Sequence, residues 1–367
     1  MTSKVDSLFR PFSNNGLELD NRVVMAPMTR EQSPAGIAND EVAGYYRRRV
    51  EGGTGLIITE GTTINDPVAT MAENIPRVHG DESLAGWENV VKEVHAAGGK
   101  IMPQIWHTGM ARNPKKSPDS HLPSIGPSGL VAPGKQIAEP MTVAQIENSI
   151  AAFAQAASDS KKVGFDGVEI HGAHGYLIDQ FFWEGTNQRT DNWGGSLENR
   201  TRYGVEIVKA IRAAVGPDFP IVMRYSQWKQ QDYTARLAET PQLLEQFLTP
   251  LSDAGVDIFH CSQRRYWENE FDGSDMNLAG WTKKITGKPT ITVGSVGLNV
   301  DFIGAFGGEG SSTKSIDDLL ERLDQGEFDL VAVGRALLQD PNWANKVRDG
   351  KADELKEFSV ESLATLS

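Results

Sequence analysis

The sequence is poor in cysteine and has no long apolar run. Cys261 is the only cysteine in 367 residues, which excludes an internal disulfide, a cysteine-rich zinc site and a four-cysteine iron–sulfur cluster within the chain. No run of about 18 apolar residues occurs, and no apolar signal core follows the first residues, so we expect neither a membrane span nor export. A reducing cytoplasm is the expected location.

Positive charge is also in short supply. The 36 Lys and Arg residues face 49 Asp and Glu residues, giving a net charge of -13, and no basic stripe or run of alternating basic and aromatic residues appears. Nucleic acid and anionic membranes are therefore not expected as partners. A small molecule is the expected binding partner.

Short apolar runs alternate with segments of helical periodicity along the chain. The runs typical of strands are 22–25, 56–60, 101–105, 167–170, 221–225, 258–261, 290–293 and 330–333. The helical segments are 41–50, 84–97, 143–162, 197–215, 241–254, 278–286, 315–325 and 341–349. Eight strand–helix units in unbroken order predict an α/β fold, the (β/α)8 TIM barrel. No low-complexity tract interrupts them, so we expect residues 1–367 to form a single domain.

Three connections are much longer than turns. They are 106–141, which is rich in Pro, Ser and Gly, then 171–196 and 262–277. Each follows a predicted strand, so we expect extended loops over the C-terminal face of the barrel, where this fold forms its pockets.

Two imidazoles and a phenol follow the fourth predicted strand. His171, His174 and Tyr176 lie within six residues of one another, and one turn of chain can bring both imidazoles to the same side. Two neutral imidazoles can each donate an N–H bond to a carbonyl or nitro oxygen, while a phenol with a pKa near ~10 keeps its proton at neutral pH. Donors for an oxyanion beside a proton source favour chemistry at an activated double bond.

Polar or special residues also follow the other strands. Thr29 and Gly61 follow strands one and two, Gln104 lies at the end of strand three, and Arg224 lies within strand five. Burying an arginine in a barrel strand costs several kcal/mol unless an anion meets it. Glycine-bearing turns follow strands seven and eight at Gly294-Ser295 and Gly334-Arg335, where barrels commonly bind phosphate. We therefore expect a phosphate-bearing cofactor across this face.

Four ordered motifs carry a family resemblance. The turn 25–30, the element 171–177, the run 187–200 and the pair 334–335 together resemble the old yellow enzyme family of flavin-dependent ene reductases. The similarity extends over residues 8–350. It implies a TIM barrel that binds FMN without a covalent bond, is reduced by NADH or NADPH, and is reoxidised by an electron-poor alkene.

The resemblance also implies which residues contact the cofactor. Thr29 would bond the flavin carbonyl beside N5, Gln104 the pyrimidine side, and Arg224 the N1/O2 edge, where it would stabilise the anionic reduced ring. The full set is Pro27, Met28, Thr29, Gly61, Gln104 and Arg224 for the ring, with Gly294, Ser295, Gly334 and Arg335 for the phosphate.

The family mechanism, carried over to this chain, passes hydride from the dinucleotide to flavin N5 and then to the β-carbon of the substrate. His171 and His174 would bind and polarise the activating group, and Tyr176 would protonate the α-carbon. Trp106 and Trp267 would line the substrate cavity. The expected substrates are α,β-unsaturated carbonyl compounds, with nitro compounds and nitrate esters as further oxidants. No metal is expected.

The chain departs from the family pattern in three places. His174 stands where Asn is common, Trp193 stands where Tyr is commoner, and the tail 349–367 lacks the aromatic elements that line the pocket in many members. Either the loop 262–268 or the tail supplies that wall. The choice between NADH and NADPH, the physiological substrate and the oligomeric state stay open.

Two other functions fit parts of the pattern. A metal-dependent barrel hydrolase could use His171 and His174 as ligands, but Thr29, Gly61, Gln104 and Arg224 occupy the neighbouring strand ends, and an arginine there would repel the cation. A flavin- or phosphate-binding protein without turnover is the second alternative. Taken alone, the histidine pair could be structural and Arg224 could form a buried ion pair.

Two charged segments are interpreted as structural. The run 187–200 is expected to anchor a loop and to begin a helix, with Ser196 as its N-cap. The triplet 47–49, three consecutive arginines, is expected to form a solvated helix face.

Overall fold

The computed structural model describes residues 5–301, 304–305 and 311–367. Within these residues eight parallel strands form a closed barrel in which each strand pairs with the next along the chain and the last pairs with the first. The strands are β1 (Val23–Met25), β2 (Leu56–Thr63), β3 (Lys100–Trp106), β4 (Val168–His174), β5 (Ile221–Lys229), β6 (Ile258–Ser262), β7 (Thr290–Val293) and β8 (Leu330–Val333). The predicted (β/α)8 TIM barrel is confirmed.

Helices follow the strands along the chain, and the last two come after β8. They are α1 (Asp40–Glu51), α2 (Asp81–Ala96), α3 (Val143–Val163), α4 (Leu177–Phe182), α5 (Leu197–Val215), α6 (Pro241–Ala254), α7 (Leu278–Thr286), α8 (Asp317–Asp324), α9 (Arg335–Gln339) and α10 (Trp343–Arg348). The sequence did not predict the short helix α4, whereas a helix start after Gly334, where α9 begins, was predicted. None of the helices in the described part of the chain combines the length and apolar character needed to cross a membrane.

Local signals set the ends of the long helices. Thr142 and Gln145 form a capping box at the start of α3, which ends at Gly164 in a left-handed conformation with φ of 101°. The side chain of Ser196 accepts a hydrogen bond from the backbone of Asn199 at the start of α5, so the predicted N-cap is confirmed.

The inside of the barrel has an apolar floor beneath a polar layer. Side chains alternate along a strand, and the inward-facing Met102, Val222 and Ile258 are buried in one apolar cluster with the hairpin of Phe12–Asn14 and Leu17–Leu19. The cluster includes inward-facing residues near the start of the strands, so the hairpin that packs against them closes the N-terminal end of the barrel. Two residues further along the same strands come Gln104, Arg224 and His260, and Glu169 joins them from β4. This polar layer faces the C-terminal mouth.

The arginine triplet 47–49 is not wholly solvated, so that prediction was wrong. Arg47 is on the surface and pairs with Glu51 and Glu93. The side chain of Arg49 is fully buried and donates hydrogen bonds to the backbone carbonyls of Tyr45 and Leu338. Arg49 lies on the face of α1 that is turned toward the protein interior, and the carbonyl groups there accept hydrogen bonds from its guanidinium. This is why it is buried although Arg47 is not.

Candidate active site

A bulge at the end of β4 brings His171 and His174 together. Residues three apart in a regular strand point to opposite faces, but the pairing of β4 with β5 shifts register between Gly172 and His174. His174 also has a positive φ of 66°, which is uncommon for a residue other than glycine. The two imidazole centroids lie 5.1 Å apart with their planes nearly perpendicular. The predicted turn that brings the two imidazoles to the same side is therefore a bulge in the last residues of β4.

Buried polar contacts hold this strained segment in place. The backbone N–H of His174 donates to Ser226 Oγ at 3.0 Å, and that of Gly175 donates to Asp179 Oδ2 at 2.7 Å. Asp179 in turn pairs with Lys229 Nζ at 2.6 Å, and both of these side chains are completely buried. A buried ion pair with additional hydrogen bonds fixes local geometry, because either charge left alone would be costly.

His174 is enclosed by β5 and β6. Its Nε2 is 2.7 Å from Ser262 Oγ, and its ring stacks on Trp228 at a centroid distance of 4.6 Å. The indole N–H of Trp228 donates to the carbonyl of Ser262 at 3.1 Å. One ring nitrogen of His174 is thus engaged by the protein, which leaves Nδ1 for a ligand.

The aromatic residues of β3 and of the turn after β4 complete the cluster. The ring of Tyr176 lies 5.0 Å from that of His171 and 4.8 Å, edge to face, from that of Trp106. The phenol oxygen accepts a hydrogen bond of 3.1 Å from the exposed side chain of Gln230. The structure therefore places four of the predicted residues, Trp106, His171, His174 and Tyr176, in one group.

Burial and a nearby cation set the protonation of these groups. Burial, followed by the charge of Arg224, lowers the pKa of both His171 and His174 well below the ordinary value, so both imidazoles are neutral at neutral pH. Burial raises the pKa of Tyr176 above its ordinary value, and the bond from Gln230 opposes this only in part. The site combines neutral N–H donors with a protonated phenol.

Arg224 has few partners for a buried guanidinium. Only 7% of the residue is exposed, yet the one hydrogen bond of its guanidinium within the described residues is a 3.4 Å contact with Ser262 Oγ, and Nε is buried without a partner there. Buried N–H groups are rarely left unpaired, so this geometry indicates a ligand with acceptor atoms. On the neighbouring side, Gln104 donates through Nε2 to Glu169 at 2.7 Å.

The ends of β1 and β2 present small or exposed groups to the mouth. Thr29 is exposed, and Pro27 and Met28 are half-buried, so these residues are open to a ligand. A buried carboxylate, Glu60, fixes the turn by accepting hydrogen bonds from the backbone N–H groups of the two residues that follow Thr29. Gly61 leaves no room for a side chain, because a Cβ there would lie 2.3 Å from the ring of Trp106.

The ends of β7 and β8 meet where the phosphate site was predicted. A guanidinium nitrogen of Arg335 lies 3.4 Å from Ser295 Oγ, which joins the two turns. Gly294 has a φ of 142° and Ser295 a φ of 51°, and the backbone N–H groups of Ser295 and Gly334 donate to no backbone carbonyl in the described ranges. These N–H groups are suited to an anion.

Trp267, which was predicted to line the substrate cavity, does not lie beside the imidazoles. Its ring packs against Tyr266 and Lys314 and lines a surface groove between α7 and α8. The wall beside the imidazoles comes instead from Trp228, at the end of β5, and from Ser262. Trp228 was missed because β5 continues four residues beyond its predicted end at position 225.

The buried pair of Glu169 and His260 was also missed. Glu169 Oε2 is 2.6 Å from His260 Nδ1, and both side chains are completely buried. A charged residue inside a predicted buried strand was the available signal, because such a residue needs a partner.

Comparison with known proteins agrees with this geometry. Residues 7–354 match the model of the NADH:flavin oxidoreductase / NADH oxidase family. An NADH oxidase from Thermoanaerobacter brockii is 34% identical over 362 residues. The aligned region includes 96% of this chain but only 52% of the length of that protein. A 12-oxophytodienoate reductase 7 from Oryza sativa subsp. japonica is 29% identical over 93% of this chain and 87% of its own length.

A solved structure also resembles this chain in fold. The old yellow enzyme homologue from Zymomonas mobilis superposes with a TM-score of 0.81 at 25% identity, over 98% of this chain and 97% of the other. The family model and these relatives confirm the resemblance inferred from the motifs. The chain therefore belongs to the NADH:flavin oxidoreductase / NADH oxidase family, which includes the old yellow enzymes, and is an oxidoreductase that uses FMN and a reduced nicotinamide dinucleotide.

Proposed function

We propose that the protein is an ene reductase that reduces the activated C=C bond of α,β-unsaturated carbonyl compounds. The observation that carries the proposal is the pair of neutral imidazoles, 5.1 Å apart, with the protonated phenol of Tyr176 beside His171. Nitro compounds and nitrate esters are included as substrates because their oxygens accept the same hydrogen bonds as an enone carbonyl.

Each residue of the cluster has a separate task. His171 and His174 donate N–H bonds to the carbonyl oxygen of the substrate and so stabilise the negative charge that develops on it. Tyr176 transfers its proton to the α-carbon. FMN, when bound, carries two electrons between the dinucleotide and the substrate. Trp106 and Trp228 line the cavity in which the substrate lies.

The cofactor contacts follow the polar layer and the strand ends. Arg224 and Gln104 fit the edge of the ring that carries alternating donors and acceptors, because the guanidinium has N–H groups that no described residue pairs with. The contacts we assign are Pro27, Met28, Thr29, Gly61, Gln104 and Arg224 for the ring, with Gly294, Ser295, Gly334 and Arg335 for the phosphate. We further propose that residues 1–367 form one FMN-binding domain.

A product assay tests the proposal. The purified holoenzyme is incubated with cyclohexenone and either NADH or NADPH in deuterated water, and the products are analysed by mass spectrometry. We expect cyclohexanone with one deuterium at the α-carbon. Oxidation of the dinucleotide without saturated ketone would contradict the proposal and would leave an oxidase that uses oxygen.

The hydrolase alternative is not favoured. In the described ranges no group of three or more His, Cys, Asp or Glu side chains is arranged to hold a metal ion. The neighbours of the imidazoles include Arg224, whose positive charge would repel a metal ion, and the family model is one of flavin enzymes.

A further inference from the structure

Glu169 lies at the centre of the polar layer inside the barrel. Among the described residues each of its two carboxylate oxygens has one side-chain partner, Gln104 Nε2 at 2.7 Å and His260 Nδ1 at 2.6 Å, and Glu169 and His260 have no exposed surface. We propose that Glu169 is the positioning residue and counter-charge of the cofactor site: it orients Gln104 and offsets the charge of Arg224. The proposal rests on the proposed function, which makes Gln104 and Arg224 cofactor contacts.

The orientation of Gln104 follows from the chemistry of its partner. A carboxylate oxygen can only accept a hydrogen bond, so the amide group of Gln104 must direct its NH2 toward Glu169. The amide oxygen Oε1 is then directed away from Glu169, and it has no hydrogen-bond partner in the part of the chain that the structure describes. Gln104 therefore offers an acceptor to an N–H group of a ligand.

The charges of Arg224 and Glu169 offset each other within the same polar layer. Arg224 and Glu169 interact electrostatically, but no direct ion pair joins them within the described residues, so the guanidinium keeps its N–H groups for a ligand. Burial, opposed only in part by Glu169, lowers the pKa of His260, which makes that imidazole a neutral donor. Glu169 thus supplies the anion that a buried arginine needs.

A counter-charge has an effect of definite sign on a redox cofactor. The positive charge of Arg224 favours the reduced, anionic flavin, and the negative charge of Glu169 opposes it. Removing Glu169's charge should therefore raise the reduction potential of the bound flavin, whereas removing the charge of Arg224 should lower it. A purely structural role for Glu169 predicts no such opposition.

Four variants provide the test, each as holoenzyme. Glu169→Gln keeps an oxygen for Gln104 and loses the charge, Glu169→Asp keeps the charge, and Arg224→Gln removes the cation. Asp166→Asn is the matched control, because Asp166 lies just before the opposite, N-terminal end of β4. The measurements are the midpoint potential by spectroelectrochemistry and the dissociation constants of oxidised and reduced FMN.

We expect a more positive potential for Glu169→Gln, with reduced FMN bound on the order of tenfold more tightly relative to oxidised FMN. Glu169→Asp and Asp166→Asn should stay near the wild-type potential, and Arg224→Gln should shift it to more negative values. An unchanged or lowered potential in Glu169→Gln, or an equal shift in Glu169→Asp, would overturn the role of Glu169 alone. An unchanged potential in Arg224→Gln would overturn the placement of the cofactor as well.

Discussion

Replacing Tyr176 by Phe separates proton transfer from every other contribution of this residue. The substitution removes one oxygen and keeps the ring that packs against Trp106 and His171. The lost hydrogen bond, 3.1 Å from the exposed Gln230, is neutral and close to solvent. Its loss costs about 1 kcal/mol or less, which is a factor of about five in an equilibrium constant.

Loss of a general acid has a much larger effect. Such a group typically contributes about 10²- to 10⁴-fold in rate, well above the factor of five from the hydrogen bond. Because burial raises the pKa of Tyr176, the phenol is protonated throughout neutral pH, and the loss should not depend on pH there. Reduction of cyclohexenone by Tyr176→Phe should thus slow by about 10²-fold or more.

Stopped-flow measurement of the two half-reactions provides the assay. Reduction of the Tyr176→Phe holoenzyme by NADH or NADPH should stay near wild type, since no proton is transferred to carbon in that step. Reoxidation by cyclohexenone should slow, and reoxidation by a nitro compound should suffer much less. Tyr233→Phe, which changes a tyrosine packed edge to face against Trp228, is the matched control. Equal slowing of both half-reactions would refute the role of Tyr176 as proton donor.

Four further predictions test the site and the fold. We also assign the imidazole of His171 to the nicotinamide amide of the dinucleotide, so His171→Ala should slow both half-reactions in stopped-flow experiments; normal reduction by the dinucleotide would argue against this assignment. Heat-released chromophore should run as FMN on chromatography, and recovery of FAD would contradict the single phosphate site. Burial raises the pKa of Glu60 from 4.5 to about 7, so its contribution to stability is present below pH 4.5 and is lost as pH rises to about 7. Glu60→Gln should then be more stable than wild type by up to about 3 kcal/mol in urea denaturation at pH 8, with no gain at pH 4. Lys229→Met should cost about 3–5 kcal/mol by leaving Asp179 as an unpaired buried charge, whereas Lys100→Met, which breaks a partly exposed ion pair with Asp166, should cost little.

The sequence was sufficient for the barrel because the relevant signals are local. All eight strands begin within one residue of their predicted starts, and β6, β7 and β8 begin at them, since each is a short, mostly apolar run. The cluster of His171, His174 and Tyr176 was likewise predictable from its position after an apolar run.

The remaining features depend on contacts between distant parts of the chain. The bulge in β4 is defined only by its pairing with β5, and the extension of β5 to Lys229 is stabilised by Asp179, fifty residues away. Trp267 was assigned to the pocket from its place in a loop, but the direction in which a loop leaves a strand is decided by what it packs against.

Arg224 links the two ends of the site electrostatically. Burial first, and then the charge of Arg224, lower the pKa of His171 and His174, and in the site that we propose this same charge favours an anionic cofactor. A protonated imidazole would add a second buried positive charge beside the guanidinium, which Glu169 alone could not offset. Burial and one arginine in β5 therefore keep the two imidazoles neutral, and in the cofactor site that we propose the same arginine, opposed by Glu169 in β4, sets the charge presented to the ligand.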